Sequence, residues 1–161
     1  MKTDFDIVIA GGGLNGPALG LALADAGLSV AVVDGRPADA RAGDAFDGRA
    51  YALALASQRL LAALGLWGAL AADAQAIRKV QATQGQAGSG PGPFGLHFDG
   101  AEIEEGRLGY MLEDRFLYRA LLAAMRDRVA HLSGITVDGQ EADGTGIRVA
   151  LSDGRNLRAR L

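Results

Sequence analysis

The 161-residue chain has no cysteine, which excludes disulfides, Cys-zinc sites and thiol catalysis and is compatible with any compartment. Its two histidines, His97 and His131, have no neighbouring acid or second ligand at metal spacing, so no metal is expected. Ser57 has no histidine partner in sequence, which argues against a nucleophile there. No apolar run reaches the roughly 18 residues that a membrane-crossing helix needs. Asp4 and Asp6 interrupt the start and Gly11 to Gly16 break any helix there, so no signal peptide is expected. Positive charge is in deficit: 16 Lys+Arg against 19 Asp+Glu give a net charge of −3, with a pI near 5.3. That balance argues against a nucleic-acid footprint. What remains is 49% hydrophobic and 22% charged, enough for a real core, and the length suits one domain. The 24 glycines show no period of three and serve turns.

The most informative stretch is Ile7-Val8-Ile9-Ala10-Gly11-Gly12-Gly13-Leu14-Asn15-Gly16. An apolar strand runs into a Gly-x-Gly-x-x-Gly turn and then into a helix. The glycine pattern alone is weak, but here Leu28 to Val33 reads as a second strand and Asp34 ends it, 18 residues past Gly16. That is about the spacing at which an acid accepts hydrogen bonds from a ribose, so the unit reads as a dinucleotide-binding βαβ. Gly11 permits the tight turn, Gly13 a close approach of backbone to pyrophosphate, and Gly16 the packing of helix on strand. The helix start offers unpaired N–H groups and partial positive charge to phosphates. Pro17 falls in the first turn, where its missing N–H costs nothing, and Gly27 is the expected C-cap.

Further along, residues 35–48 read as a polar loop and Ala52 to Leu64 as an Ala/Leu-rich helix stopped by Gly65. Leu66 and Trp67 are expected to plug the core. Ile77 to Thr83 reads as a strand, residues 85–93 as a flexible Gly/Pro loop, and Phe94–Phe98 and Leu108–Leu112 as short strands. Asp114 is placed to cap a helix from Arg115 to about Arg128, with Phe116, Leu117, Ala120, Leu121, Ala124 and Met125 on its apolar face. Ile135-Thr136-Val137 reads as a third sheet strand. Residues 140–161 read as a β-meander, with Asp153-Gly154 as a hairpin turn.

Asp47-Gly48-Arg49-Ala50-Tyr51-Ala52-Leu53-Ala54-Leu55-Ala56-Ser57, with Leu60-Leu61 and Leu64-Gly65-Leu66-Trp67 behind it, resembles the segment after the second strand in flavin-dependent aromatic hydroxylases. Within them it resembles the ubiquinone-biosynthesis branch, the 2-polyprenyl-6-methoxyphenol hydroxylase family. Leu96-His97-Phe98-Asp99 and Gly109-Tyr110-Met111-Leu112-Glu113-Asp114-Arg115-Phe116-Leu117 resemble the same branch, and the likeness covers nearly the whole chain. The resemblance implies an α/β fold: a Rossmann-like FAD/NAD(P)-binding β/β/α domain with a C-terminal β-meander, incomplete. Residues 1–161 would form the N-terminal part of the FAD-binding domain.

The resemblance also implies a set of FAD contacts: Gly11, Gly13, Leu14, Asn15, Gly16, Asp34, Gly35, Arg36, Arg49, Arg115 and Val137. Asp34 stands where the family more often has Glu. Arg36 would cover the adenosine side, Arg49 would reach the FAD, Arg115 would lie near the pyrophosphate and ribityl chain, and the Val137 backbone would pack by the adenine. Arg36 and Arg115 equally suit solvated surface positions, and Arg115 also suits a helix start beside Asp114. An arginine fork at Arg49 fits phosphate oxygens. Val137 is core in either reading.

Relatives are longer. This sequence stops at Arg158-Ala159-Arg160-Leu161, where they continue into an apolar strand with an Ala-Asp-Gly block. Their later Gly-Asp block, substrate-domain sheet and C-terminal helix are expected to be missing here. For a complete relative, the resemblance implies a cytoplasmic monooxygenase: NAD(P)H reduces FAD and O2 hydroxylates an electron-rich phenol. A polyprenylated phenol as substrate implies peripheral contact with the inner membrane. No acid or base is assigned. Two other readings stand beside it: a non-catalytic nucleotide-binding or interaction module, and the NAD-binding domain of a dehydrogenase, against which the Arg49 and Arg115 blocks argue.

Overall fold

A computed structural model of the chain describes residues 3–161 except 41, 44, 87 and 89. The first elements are β1 (Ile7–Ala10), α1 (Asn15–Asp25), β2 (Val30–Asp34), β3 (Ala50–Ala54), α2 (Leu55–Ala63) and α3 (Trp67–Leu70). Then come β4 (Gln75–Ile77), β5 (Lys79–Gln86), β6 (Gly90–Asp99), β7 (Gly109–Glu113) and α4 (Asp114–Met125). The chain closes with β8 (Ala130–Ser133), β9 (Val137–Ala142), β10 (Ile147–Leu151) and β11 (Asn156–Ala159).

Three layers result. The middle one is a parallel sheet in the order β1-β2-β8. Residues of β2 are buried on both faces, as a near-continuous apolar run in a covered parallel sheet requires. On one face Val30 and Val32 pack with Leu21, Leu121, Met125 and Val129, mainly from α1 and α4. On the other, Val33 packs with Val149 and Leu151 of the antiparallel meander β11-β10-β9. This is the expected β/β/α arrangement. At the outer edge of β1, the Val8 N–H donates to the Leu161 carbonyl at 2.9 Å, and the Leu161 N–H donates to the Asp6 carbonyl at 3.1 Å.

Both early helices end as their glycines dictate. Gly27 (φ +84°) donates to Ala24 while Leu28 donates to Leu23, and Gly65 (φ +78°) donates to Ala62 while Leu66 donates to Leu61. Both are Schellman closures, which need a left-handed residue. Asp153-Gly154 turns the meander, with the Arg155 N–H donating to Asp153 Oδ1 at 3.0 Å. Leu66 is buried, and half-buried Trp67 meets Tyr110 edge-on at 4.7 Å between ring centroids.

Five expectations need correction. Ala50–Ala54 is a strand, paired antiparallel with β7, and the helix begins only at Leu55. Tyr51 and Leu53 alternate inward between exposed alanines, a period of two that the run of Ala and Leu conceals. The stretch from Ile77 divides between β4, which pairs with β7, and β5, which pairs with β6. Most of residues 85–93 extends this β5–β6 hairpin, so Phe94–Phe98 is the end of a ten-residue strand; residues 87 and 89 lie outside the described residues. The α4 cap position is Glu113, which makes no side-chain cap, and Asp114 is instead buried inside the helix start. The third parallel strand is β8, because Val137 has already crossed into the meander opposite Leu151.

Candidate functional site

The turn between β1 and α1 is built by two different glycine requirements. Gly11 has φ +117°, a conformation that an L side chain rarely adopts, although nothing lies within 4 Å of where its Cβ would be. Gly16 is limited by space: a Cβ there would run into the Gly11 carbonyl oxygen, so the helix start folds onto its own turn. α1 then begins without a side-chain cap at Leu14 and with no acid in its first turn. Its first N–H groups are therefore left without a side-chain cap, the arrangement that suits an anion.

Asp34 closes the same site from the end of β2. Its Oδ1 accepts from the Arg36 N–H at 3.1 Å, which turns the chain through Gly35. The opposite oxygen lies against the glycine turn, since a Cβ on Gly12 would sit 2.5 Å from Oδ2. Gly12 is a residue that the motif leaves free, yet here it makes the room that lets the acid and turn meet. Beyond Asp34, the Ile135 N–H donates to its carbonyl at 3.0 Å, and Thr136 Cγ2 would lie 2.9 Å from a Cβ on Gly35. Residues 134–136 thus flank the Asp34-Gly35-Arg36 corner.

A cavity of about 530 Å³ opens beside the turn, lined by Gly13, Leu14 and Asn15 together with Tyr51, Ala52, Leu53 and Ser57. Ala18 of α1, Leu60 and Leu61 of α2, and Leu117 and Leu121 of α4 complete it. The apolar lining with a polar, uncapped helix start at one end is the usual make-up of a cofactor cleft.

Arg49 stands just before β3, the strand that lines this cavity. Its Nε donates to Asp47 Oδ2 at 2.8 Å, and its Nη2 lies 3.3 Å from Asp114 Oδ2. The hydrogen bond donated to Asp47 first, and then the charge of Asp114, hold the Arg49 guanidinium above its ordinary range against partial burial. Arg115 and Val137 are placed elsewhere. Arg115 bonds Glu113 at 2.7 Å, lies 4.6 Å over the Phe116 ring and is not among the cavity residues. Val137 packs against the Val33, Val149 and Leu151 cluster. Arg36 is exposed. The participants that motif reading missed are Gly12 and Asp114; with Glu113 and Arg115 on either side of it, Asp114 carries no local mark of burial.

A glycine turn backed by an acid, at an uncapped helix start on a parallel sheet covered by helices and a meander, defines a dinucleotide-binding domain. The chain belongs to the FAD-binding domain family, whose pattern matches residues 4–159. It is 40% identical over 158 residues to the ubiquinone hydroxylase UbiL of Rhodospirillum rubrum, covering 97% of this chain and 35% of that protein. It is 35% identical over 122 residues to the 3-demethoxyubiquinol 3-hydroxylase of Escherichia coli, covering 74% of this chain and 30% of that protein. The chain thus spans about a third of the length of these curated relatives. The fold is also that of p-nitrophenol 4-monooxygenase PnpA from Pseudomonas putida, with a TM-score of 0.75 at 18% identity over 99% of this chain and 40% of that one. PqsL, a probable FAD-dependent monooxygenase from Pseudomonas aeruginosa, gives a TM-score of 0.72 at 22% identity over 98% of this chain and 41% of that one. Among the described residues, no helix is long and apolar enough to cross a membrane.

Proposed function

We propose that residues 1–161 form the N-terminal part of the FAD-binding domain of a flavin-dependent monooxygenase that hydroxylates a polyprenylated phenol in ubiquinone biosynthesis. The observation that carries the FAD reading is the Gly12–Asp34 apposition at the uncapped start of α1. It provides a cradle that a Cβ would fill, an acceptor for ribose hydroxyls and donors for phosphates within one corner. In this reading Gly11, Gly13, Leu14, Asn15 and Gly16 hold the pyrophosphate, and Asp34, Gly35 and Arg36 hold the adenosine. Arg49 reaches toward an anionic part of the cofactor. Arg115 and Val137 are second-line contacts, through the start of α4 and the β9 backbone.

Bound FAD would supply the redox chemistry, accepting electrons from NAD(P)H and passing them to O2. The chain's own residues bind and orient the cofactor, and the leucines of the cavity exclude water from it. The phenol substrate is supported by the similarity to UbiL and to the Escherichia coli hydroxylase. A lipid-soluble substrate draws the protein to the inner membrane from the cytoplasmic side, and the exposed Phe94, Leu96 and Phe98 of β6 offer apolar surface for that contact.

The test is to release the small molecules held by the purified chain and identify them. FAD near one equivalent supports the reading. NAD held in preference to FAD would move the chain to the dehydrogenase class.

A further inference from the structure

Asp114 is the one charged residue buried among the described residues, at 1% exposure. A carboxylate taken out of water at that depth must have its charge met. Arg49 supplies one countercharge to it and one backbone bond to the same residue. The guanidinium Nη2 lies 3.3 Å from Asp114 Oδ2, and the Asp114 N–H donates to the Arg49 carbonyl at 3.0 Å. Pairing of β3 with β7 brings these distant residues together, since it sets Ala50 opposite Glu113. Backbone and side chain of Asp114 thus fix the same residue, and Tyr51, Ala52 and Leu53 of the β3 strand that follows it line the cavity.

Asp47 meets Arg49 from the solvent side. Its Oδ1 accepts from the Arg49 N–H at 3.1 Å, and its Oδ2 accepts from both Nε, at 2.8 Å, and Nη2. This carboxylate is half exposed and only two residues away in a loop. Solvent screens and competes for the half-exposed Asp47 pair, whereas water does not reach the buried, backbone-tied Asp114, so its contact is not exchanged in the same way.

We infer that Asp114 is a positioning residue, holding the Arg49 guanidinium at the head of β3 for an anionic group of the bound cofactor, with Asp47 an exchangeable surface partner. This rests on the FAD reading above. It predicts unequal roles for two carboxylates that touch the same arginine. Loss of the buried partner lets Arg49 swing, while loss of the exposed one leaves it in place.

The experiment is an FAD titration, followed by flavin fluorescence, of the chain and of Asp114→Asn, Asp47→Asn, Arg49→Gln and the Asp114→Asn/Arg49→Gln double variant. Absence of saturable binding by the unsubstituted chain would sink the FAD reading itself, separately from this inference. Given binding, Asp114→Asn is expected to raise Kd about tenfold, on the scale of one charge-assisted hydrogen bond, and Asp47→Asn by less than about twofold. In the Arg49→Gln background Asp114→Asn should add nothing to the loss of FAD binding, because the guanidinium through which it acts on the cofactor has gone. A merely structural role would weaken binding equally in both backgrounds and would overturn the inference. So would tighter binding in Asp114→Asn, which would make Asp114 only a neutraliser of Arg49, or an Asp47→Asn effect as large as that of Asp114→Asn. Circular dichroism of each variant separates misfolding; if Asp114→Asn is unstable, Asp47→Asn against Arg49→Gln still decides, since an Asp47→Asn loss as large as that of Arg49→Gln would overturn the inference.

Discussion

An alanine at Gly12 would place a methyl group 2.5 Å from Asp34 Oδ2, 2.6 Å from its Cβ and 2.9 Å from its Cγ. The carboxylate can rotate away, but the Cβ cannot, because it is attached to β2 immediately after the buried run Val30 to Val33. The turn or the strand end must therefore shift. Overpacking of this kind costs about 1–3 kcal/mol. For a chain of this length, about 2 kcal/mol lowers Tm by roughly 4–8 °C. The cost should depend on what stands at position 34. Asp34→Ala removes Oδ2 and Cγ but keeps the Cβ, so it relieves part of the clash; Asp34→Gly relieves it all. Thermal unfolding of Gly12→Ala in the Asp34, Asp34→Ala and Asp34→Gly backgrounds should give penalties that fall in that order. The cycle with Asp34→Gly should show a coupling of about 1–2 kcal/mol. Equal penalties in all three backgrounds would refute the claim that these two residues share one space.

Two further outcomes follow from burial. Leu121 is 1% exposed and also lines the cavity, so Leu121→Ala should lower stability by about 2–5 kcal/mol, read from the urea midpoint with an unchanged slope. Burial holds the His131 imidazole below its ordinary value of 6.5, and the charge of Asp34 only partly offsets this. The unfolded chain therefore takes up a proton first as the pH falls. The neutral imidazole's contribution is complete above about pH 6.5 and is lost below it, down through the lowered folded value. The fall in Tm between pH 7 and pH 5.5 should be smaller in His131→Gln; an identical fall would mean that His131 does not titrate differently on folding.

Legibility in the sequence followed how local each signal was. The strand, glycine turn, helix and acid from Ile7 to Asp34 could be read because turn chemistry, C-capping and a buried strand each leave marks within a few residues. The meander was readable from Asp153-Gly154 for the same reason. Ala50–Ala54 was not, because alanine suits a helix and only its pairing with β7 makes it a strand. Ala130–Ser133 was overlooked for the more β-branched Ile135–Val137, although position beside β2 decides the matter. The Gly/Pro segment before Phe94 looked like a loop, yet a glycine-rich strand is accommodated where Gly85 and Gly92 let the two backbones approach closely. In the site, the motif gave Gly11, Gly16 and Asp34, but not why Gly12 is small. Nor did it reveal Asp114 beneath Arg49, since that contact exists only after β3 and β7 pair.

The most direct test of the account is an FAD titration of the chain and of Asp34→Ala, with NAD titrated in parallel. Saturable binding of one FAD is expected, at least about tenfold weaker in Asp34→Ala through loss of two ribose hydrogen bonds, with NAD weaker than FAD in the unsubstituted chain. Equal FAD affinity in the two proteins, or NAD bound more tightly than FAD, would contradict it.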